Sequence, residues 1–290
     1  MLPLLVLLLV AACGPEPDAP RSAARPTPPL PSGLPSPGLP TPSPEPPAQS
    51  PPAPALVPVP AQPPVTSSGW VGPIYAPHAH GYDVSYPQCS ALAAPADAAF
   101  AVIGVNAGKA FTVNPCLAAE WRAGRGPRAV YFNSGYNPDN AGKATADCLA
   151  RSQLQDPPDD HRTAYAIGCS EAIHSMAAMR AAGAEPAVMV WVDVESSNSW
   201  DAARVDLNRT ALQAEVDQLA ASGRLVGLYG TFAEWRGIVG AWTPAGVVAD
   251  WVAGQPPDAT CRAPGFSGHP VWLAQELAPW PGGDDSDWAC

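Results

Sequence analysis

Between residues 81 and 290 the chain alternates short apolar runs, rich in Val, Ile, Tyr and Trp, with longer stretches of helical periodicity. Strands are predicted at 81–85, 100–106, 128–133, 188–194, 225–230, 247–253, 271–275 and 285–289. Helices are predicted from Leu117 to about Trp121, from Tyr165 to Ala182, from Ala203 to Ala221 and from Phe232 to Ile238. The third of these carries Val205, Leu212, Val216 and Leu219 along one side, and Ser222-Gly223 ends it. A polar insertion containing Cys148 separates the third strand from the helix at Tyr165. The nearly unbroken apolar run at 100–106 suits a parallel strand covered on both faces. Five strand–helix units followed by three strands make eight, the number that closes a barrel. The expected fold is therefore α/β, a TIM-type barrel of (β/α)5β3 form.

The fourth strand carries the most chemistry. In Val188-Met189-Val190-Trp191-Val192-Asp193-Val194-Glu195, alternation puts Met189, Trp191, Asp193 and Glu195 on one face and the four valines on the other. A valine face suits packing under helices, and an acidic carboxyl end suits the open mouth of a barrel. One acid at a strand end is ordinarily a capping or turn residue. Two acids on one face, with an aromatic behind them, make a candidate active site. The first strand, Gly81-Tyr82-Asp83-Val84-Ser85, adds Asp83 in an equivalent place.

The ends of the chain change the picture. Residues 1–13 are an apolar run too short to span a bilayer, closed by Val10-Ala11-Ala12-Cys13-Gly14, and are expected to be a signal peptide with Cys13 as the lipidated residue. Residues 14–66 contain 21 prolines in 53 residues and are expected to be a disordered, extended linker. Residues 67–290 are expected to form the barrel domain. These features point to an exported protein on the outer face of the cytoplasmic membrane or in the cell wall, held to the membrane by its lipid anchor.

Apart from Cys13 there are six cysteines: Cys89, Cys116, Cys148, Cys169, Cys261 and Cys290. An even number in an exported chain argues for three disulfides, and sequence leaves fifteen pairings open. The favoured set is Cys89 with Cys116, Cys148 with Cys169 and Cys261 with Cys290, since each pair joins loops after neighbouring strands or bounds one insertion. No Cys-x-x-Cys occurs, and His78 and His80 have no third ligand nearby, so no metal and no cofactor is expected, and the two histidines are expected to be solvated loop residues. Gly104 to Ala110 is one residue short of a phosphate loop. A net charge of −11 argues against nucleic acid as a partner.

The order Gly-Tyr-Asp-Val-Ser, Trp-Val-Asp-Val-Glu, Gly-Leu-Tyr-Gly, Trp-Val-Ala and Trp-Leu-Ala-Gln along successive strands resembles the glycoside hydrolase family 25 muramidases, as found in secreted actinobacterial proteins. That resemblance covers Gly81 to Cys290. It implies cleavage of the β-1,4 bond between N-acetylmuramic acid and N-acetylglucosamine in peptidoglycan. It also implies Glu195 as general acid, Asp193 and Asp83 as partner carboxylates, and Asp287 or Asp285 as the acid of the last strand. Tyr131, Trp191, Tyr229, Trp251, Trp272 and Gln275 would, with Asp285, bind the sugar. The sequence departs from the family pattern at Phe132-Asn133, at Gln275-Glu276 and in the insertion with Cys148 and Cys169.

Two functions are open at this point. One is a monomeric, lipid-tethered glycosidase; the other is a wall-glycan binding protein on the same barrel. Retention of Asp83, Asp193 and Glu195 together favours the glycosidase, because a binder has no need of three convergent acids.

Overall fold

The computed structural model describes residues 73–90, 94–154, 158–254, 256–276 and 285–290. Cys13 and the Pro-rich stretch lie outside them. Eight strands close a barrel in chain order: β1 (His80–Val84), β2 (Ala101–Gly104), β3 (Arg128–Asn133), β4 (Met189–Asp193), β5 (Leu225–Gly230), β6 (Val247–Ala253), β7 (Val271–Glu276) and β8 (Asp285–Ala289). The first seven run parallel to one another, and β8 runs antiparallel to both β7 and β1. The helices are α1 (Leu117–Ala123), α2 (Ala146–Gln153), α3 (Asp159–Ala182), α4 (Val205–Ala221), α5 (Phe232–Ile238) and the single turn α6 (Pro257–Thr260).

Strand alternation divides the core into two. Phe100, Val102, Ala129, Met189, Trp191, Ala249, Trp251, Leu273 and Ala289 fill the barrel, while Val190, Val192, Val194, Val226 and Leu228 pack outward with helix residues such as Leu212, Val216 and Leu219. The interior accepts two fully buried tryptophans because a glycine faces one of them. Gly227 pairs with Trp191 in register, and a Cβ there would lie 2.3 Å from the indole. Outside, α3 and α4 touch closely enough that a Cβ on Gly168 would meet the Ala211 carbonyl at 1.9 Å.

Several boundaries differ from expectation for local reasons. Val188 stands outside β4 and is 58% exposed, so the valine face begins at Val190. Among the described residues the β1–β2 connection holds one turn of 3-10 helix, Tyr86–Gln88, rather than a full helix. The polar insertion is ordered into a 3-10 segment, Pro138–Lys143, and α2, and α3 starts six residues early. Its first turn carries Asp159 and Asp160, acids that favour a helix N-terminus but break the apolar period. His80 is not a solvated loop residue: it opens β1, hydrogen-bonds Ser286 Oγ at 2.7 Å and stacks on Trp288 with ring centroids 4.1 Å apart.

The disulfides join Cys89 to Cys116, Cys148 to Cys169 and Cys261 to Cys290, the favoured set. The second ties α2 to α3, and the third ties the residue after α6 to the residue after β8. No helix among the described residues is long and apolar enough to cross a membrane.

Candidate active site

A cavity of about 380 Å³ opens at the carboxyl end of the parallel strands. It is reached by Asp83 of β1 and Ser85 just after it, Tyr131 and Asn133 of β3, Asp193 and Glu195 of β4 and its loop, Tyr229 of β5, Trp251 of β6, Gln275 of β7 and Asp285 of β8. All the parallel strands but β2 therefore deliver inward residues from or just beyond their carboxyl halves, as alternation requires, and the loop after β2 contributes Gly108. The antiparallel β8 delivers its first.

Asp193 is 2% exposed, and amide donors face both its oxygens: Asn133 Nδ2 donates to Oδ2 at 2.5 Å and Asn198 Nδ2 to Oδ1 at 3.2 Å. Asn133 is held in turn by Asn106, which accepts from its N–H at 3.1 Å and donates to its carbonyl at 2.9 Å. Burial, then the neighbouring Glu195, pushes the Asp193 carboxyl well above its ordinary range, and the Asn198 amide works against that rise. Glu195 is half-buried and contacts Ser197 Oγ at 3.4 Å. Its acidity is weakened first by burial and then by the carboxylate of Glu234. Across the mouth, the Tyr229 hydroxyl donates to Gln275 Oε1 at 2.7 Å, and Gln275 Nε2 donates to Asp83 Oδ2 at 2.8 Å.

Of the residues expected from sequence, Asp83, Asp193, Glu195, Asp285, Tyr131, Tyr229, Trp251 and Gln275 share the cavity. Trp191, Trp272 and Asp287 do not reach it. Trp191 has no exposed surface and sits one layer below Asp193, in edge contact with Trp251 at 5.8 Å. Trp272 lies near the opposite end of β7. Asp287 is also fully buried, taking a hydrogen bond from Trp251 Nε1 at 2.8 Å. Sequence reading missed Tyr86, Gln88 and Gly108 at the rim, the amide cradle of Asn106 and Asn198, and Glu234. The only signal for Glu234 was the Thr231-Phe232-Ala233-Glu234 capping pattern. Among the described residues Cys89, Cys116 and Glu120 bring potential ligand atoms together, but both sulfurs are in a disulfide and offer no thiolate.

No protein-family model matches the chain, and no curated protein matches it either. Among solved structures it is similar to a muramidase from Trichobolus zukalii, with 16% identity, a TM-score of 0.49 and coverage of 73% of this chain and 93% of that one. A family GH25 lysozyme from Aspergillus fumigatus is similar at 14% identity and a TM-score of 0.44, over 73% and 93% of the two chains. The spore cortex lytic enzyme SleM of Clostridium perfringens is similar at 14% and 0.46, over 73% of this chain and 67% of that one. With each of these TM-scores below 0.5, the functional reading rests on the site itself: a closed barrel whose mouth gathers four carboxylates among aromatic side chains.

Proposed function

We propose that the protein is an exported glycoside hydrolase that cuts cell-wall glycan, with the N-acetylmuramyl bond of peptidoglycan as its target. The observation that carries this is the convergence of Asp83, Asp193, Glu195 and Asp285 on one cavity walled by Tyr131, Tyr229 and Trp251. Glycoside cleavage needs a protonated carboxyl for the leaving oxygen and an ionised one for the positive charge that develops at the sugar. The Asp193–Glu195 pair meets both needs. Amide donors on both oxygens favour the charged form of Asp193, whereas Glu195 meets only the hydroxyls of Ser197 and Tyr229 and faces other acids. Burial raises both carboxyls, and Asp193 the more, so the pair shares one proton; for the reaction that proton is delivered from Glu195, nearer the opening, while the amide donors stabilise the charge left on Asp193. Asp83, fixed by Gln275, and Asp285 supply further negative charge around the sugar. The aromatic walls offer faces on which sugar rings stack, and the cavity volume falls within the ordinary range for small-ligand sites.

Lipidation at Cys13 would hold the monomeric enzyme to the membrane. The 53-residue Pro-rich segment, at about 3.1 Å per residue, would let it reach on the order of 160 Å into the wall.

The test is digestion of purified peptidoglycan with mass spectrometry of the released muropeptides. Cleavage is expected to be fastest at mildly acidic pH and to fall as Glu195 ionises. Glu195→Gln is expected to lower turnover by about 10² to 10⁴ with glycan binding nearly unchanged. Wild-type protein that binds wall glycan as well as the Gln variant does, yet releases no fragments from any preparation, would establish a binding protein instead.

A further inference from the structure

Glu234 is the third residue of α5 and does not line the cavity, yet both its carboxylate oxygens are engaged across two loops. Oε2 accepts from Thr231 Oγ1 at 2.9 Å, and Thr231 Oγ1 accepts from the Glu234 backbone N–H at 3.2 Å, which fixes the carboxylate at the helix start. Oε1 accepts from both the backbone N–H and the hydroxyl of Ser196, each at 3.0 Å. Ser196 directly follows Glu195. The same loop is tied on its other side by Asn198, whose N–H donates to the Glu195 carbonyl at 3.1 Å. A simple cap would end at the helix. This carboxylate leaves α5 and grips the neighbour of the proposed acid.

We propose that Glu234 is the positioning residue of the catalytic acid: it clamps the Glu195 loop to α5 and holds negative charge beside the carboxyl that must stay protonated. The inference rests on the reading of Glu195 as that acid. The groups facing Glu195 are Asp193 on β4, Tyr229 on β5, Glu234 on α5, Asp285 on β8 and Ser197 in its own loop. Of the acids, only Glu234 is also bonded to the adjoining backbone. A like charge makes Glu195 hold its proton to higher pH, so removing that charge must move the alkaline limb of activity to lower pH.

The experiment compares wild type, Glu234→Gln and Glu234→Ala on purified peptidoglycan across pH, with 13C NMR titration of the Glu195 carboxyl and hydrogen exchange of the Ser196 amide. Gln keeps the acceptor for Ser196 and removes the charge. It is expected to shift both the alkaline limb and the Glu195 titration down by roughly half to one pH unit, with kcat on the acidic side within twofold. Ala also releases the loop, and is expected to lower kcat about tenfold with KM little changed and to speed exchange at Ser196. Unchanged titration, exchange and pH limb in both variants would overturn the proposal. The expected NMR and exchange shifts in a protein with no hydrolase activity would uphold the clamp and sink the reading of Glu195 as an acid catalyst. Activity with an unmoved Glu195 titration would do the reverse.

Discussion

Behind the barrel, α3 and α4 bury two glutamates against each other, and the fold should be measurably pH-dependent because of them. Glu171 has no exposed surface; it accepts from the Phe111 N–H at 2.6 Å and from Ser175 Oγ at 3.4 Å. Glu215 is 1% exposed, takes one hydrogen bond from Ser134 Oγ at 2.5 Å, and leaves Oε1 without a partner. Burial lifts Glu171 from the usual 4.5 to about 8, and burial together with Glu171 lifts Glu215 well above its ordinary range. The native state therefore keeps protons that the unfolded chain releases. Stability from this pair is full below about pH 4.5 and is lost as pH rises toward 8.

The perturbation is Glu171→Gln, which keeps the acceptor for Phe111 and cannot ionise. Each factor of ten in acidity is worth about 1.4 kcal/mol, so the gap at Glu171 amounts to about 3 to 5 kcal/mol once pH exceeds 8. Urea unfolding of wild type and variant at a series of pH values gives the difference free of acids common to both. The variant is expected within about 1 kcal/mol of wild type at pH 5 and more stable by about 3 kcal/mol at pH 8. A difference that stays constant between those pH values would refute the reasoning. The consequence reaches the site, because Phe111 belongs to the loop after β2 whose Gly108 lines the cavity.

Gly227→Ala should cost about 1 to 3 kcal/mol in urea unfolding, since its Cβ would lie 2.3 Å from the Trp191 ring and 2.5 Å from Met189 Cε inside a filled barrel; an unchanged midpoint would show that the interior has room. Replacing Cys148 and Cys169 together by Ser should remove about 3 kcal/mol by freeing a loop with sequence separation 21, read as a lower Tm in non-reducing buffer.

Much of this was legible in the sequence because it depends on period and chain order. The valine-only face of β4 and the Asp-x-Glu at its end state which side faces the helices and which end opens, and Asp83 follows by the same rule from β1. What could not be read depends on direction and on contacts between distant segments. β8 holds Asp285 and Asp287 on one face, but only its antiparallel sense puts the earlier acid at the mouth and the later one a layer beneath. Trp191 was expected at the sugar for a similar reason: its face was right, and its depth, two residues before Asp193, was not. Asn106, Asn133 and Asn198 come from three separate loops and strand ends, and no local pattern announces that Asn133 and Asn198 meet at Asp193 with Asn106 holding Asn133 from behind.

The donors that meet each buried oxygen decide how the acids of the mouth share protons. Burial raises Asp193 well above its ordinary range, but amide donors on both its oxygens stabilise its charge, so in the upper pair the shared proton can pass to Glu195. In the other pair, Asp83 receives the Gln275 amide, whereas Asp287 is fully buried with the Trp251 N–H on one oxygen and no N–H or O–H donor from a neutral group on the other. Burial and then the charge of Asp83 raise the Asp287 carboxyl, so the proton belongs to the deeper acid and the charge to the shallower one. Each pair thus keeps one proton and one charge. On the proposed function, two charged aspartates, Asp83 and Asp193, would then face the sugar from different strands, with the one proton within reach of a leaving oxygen delivered from Glu195. An oxocarbenium-like transition state asks for that distribution, and a site built only to hold neutral sugar does not.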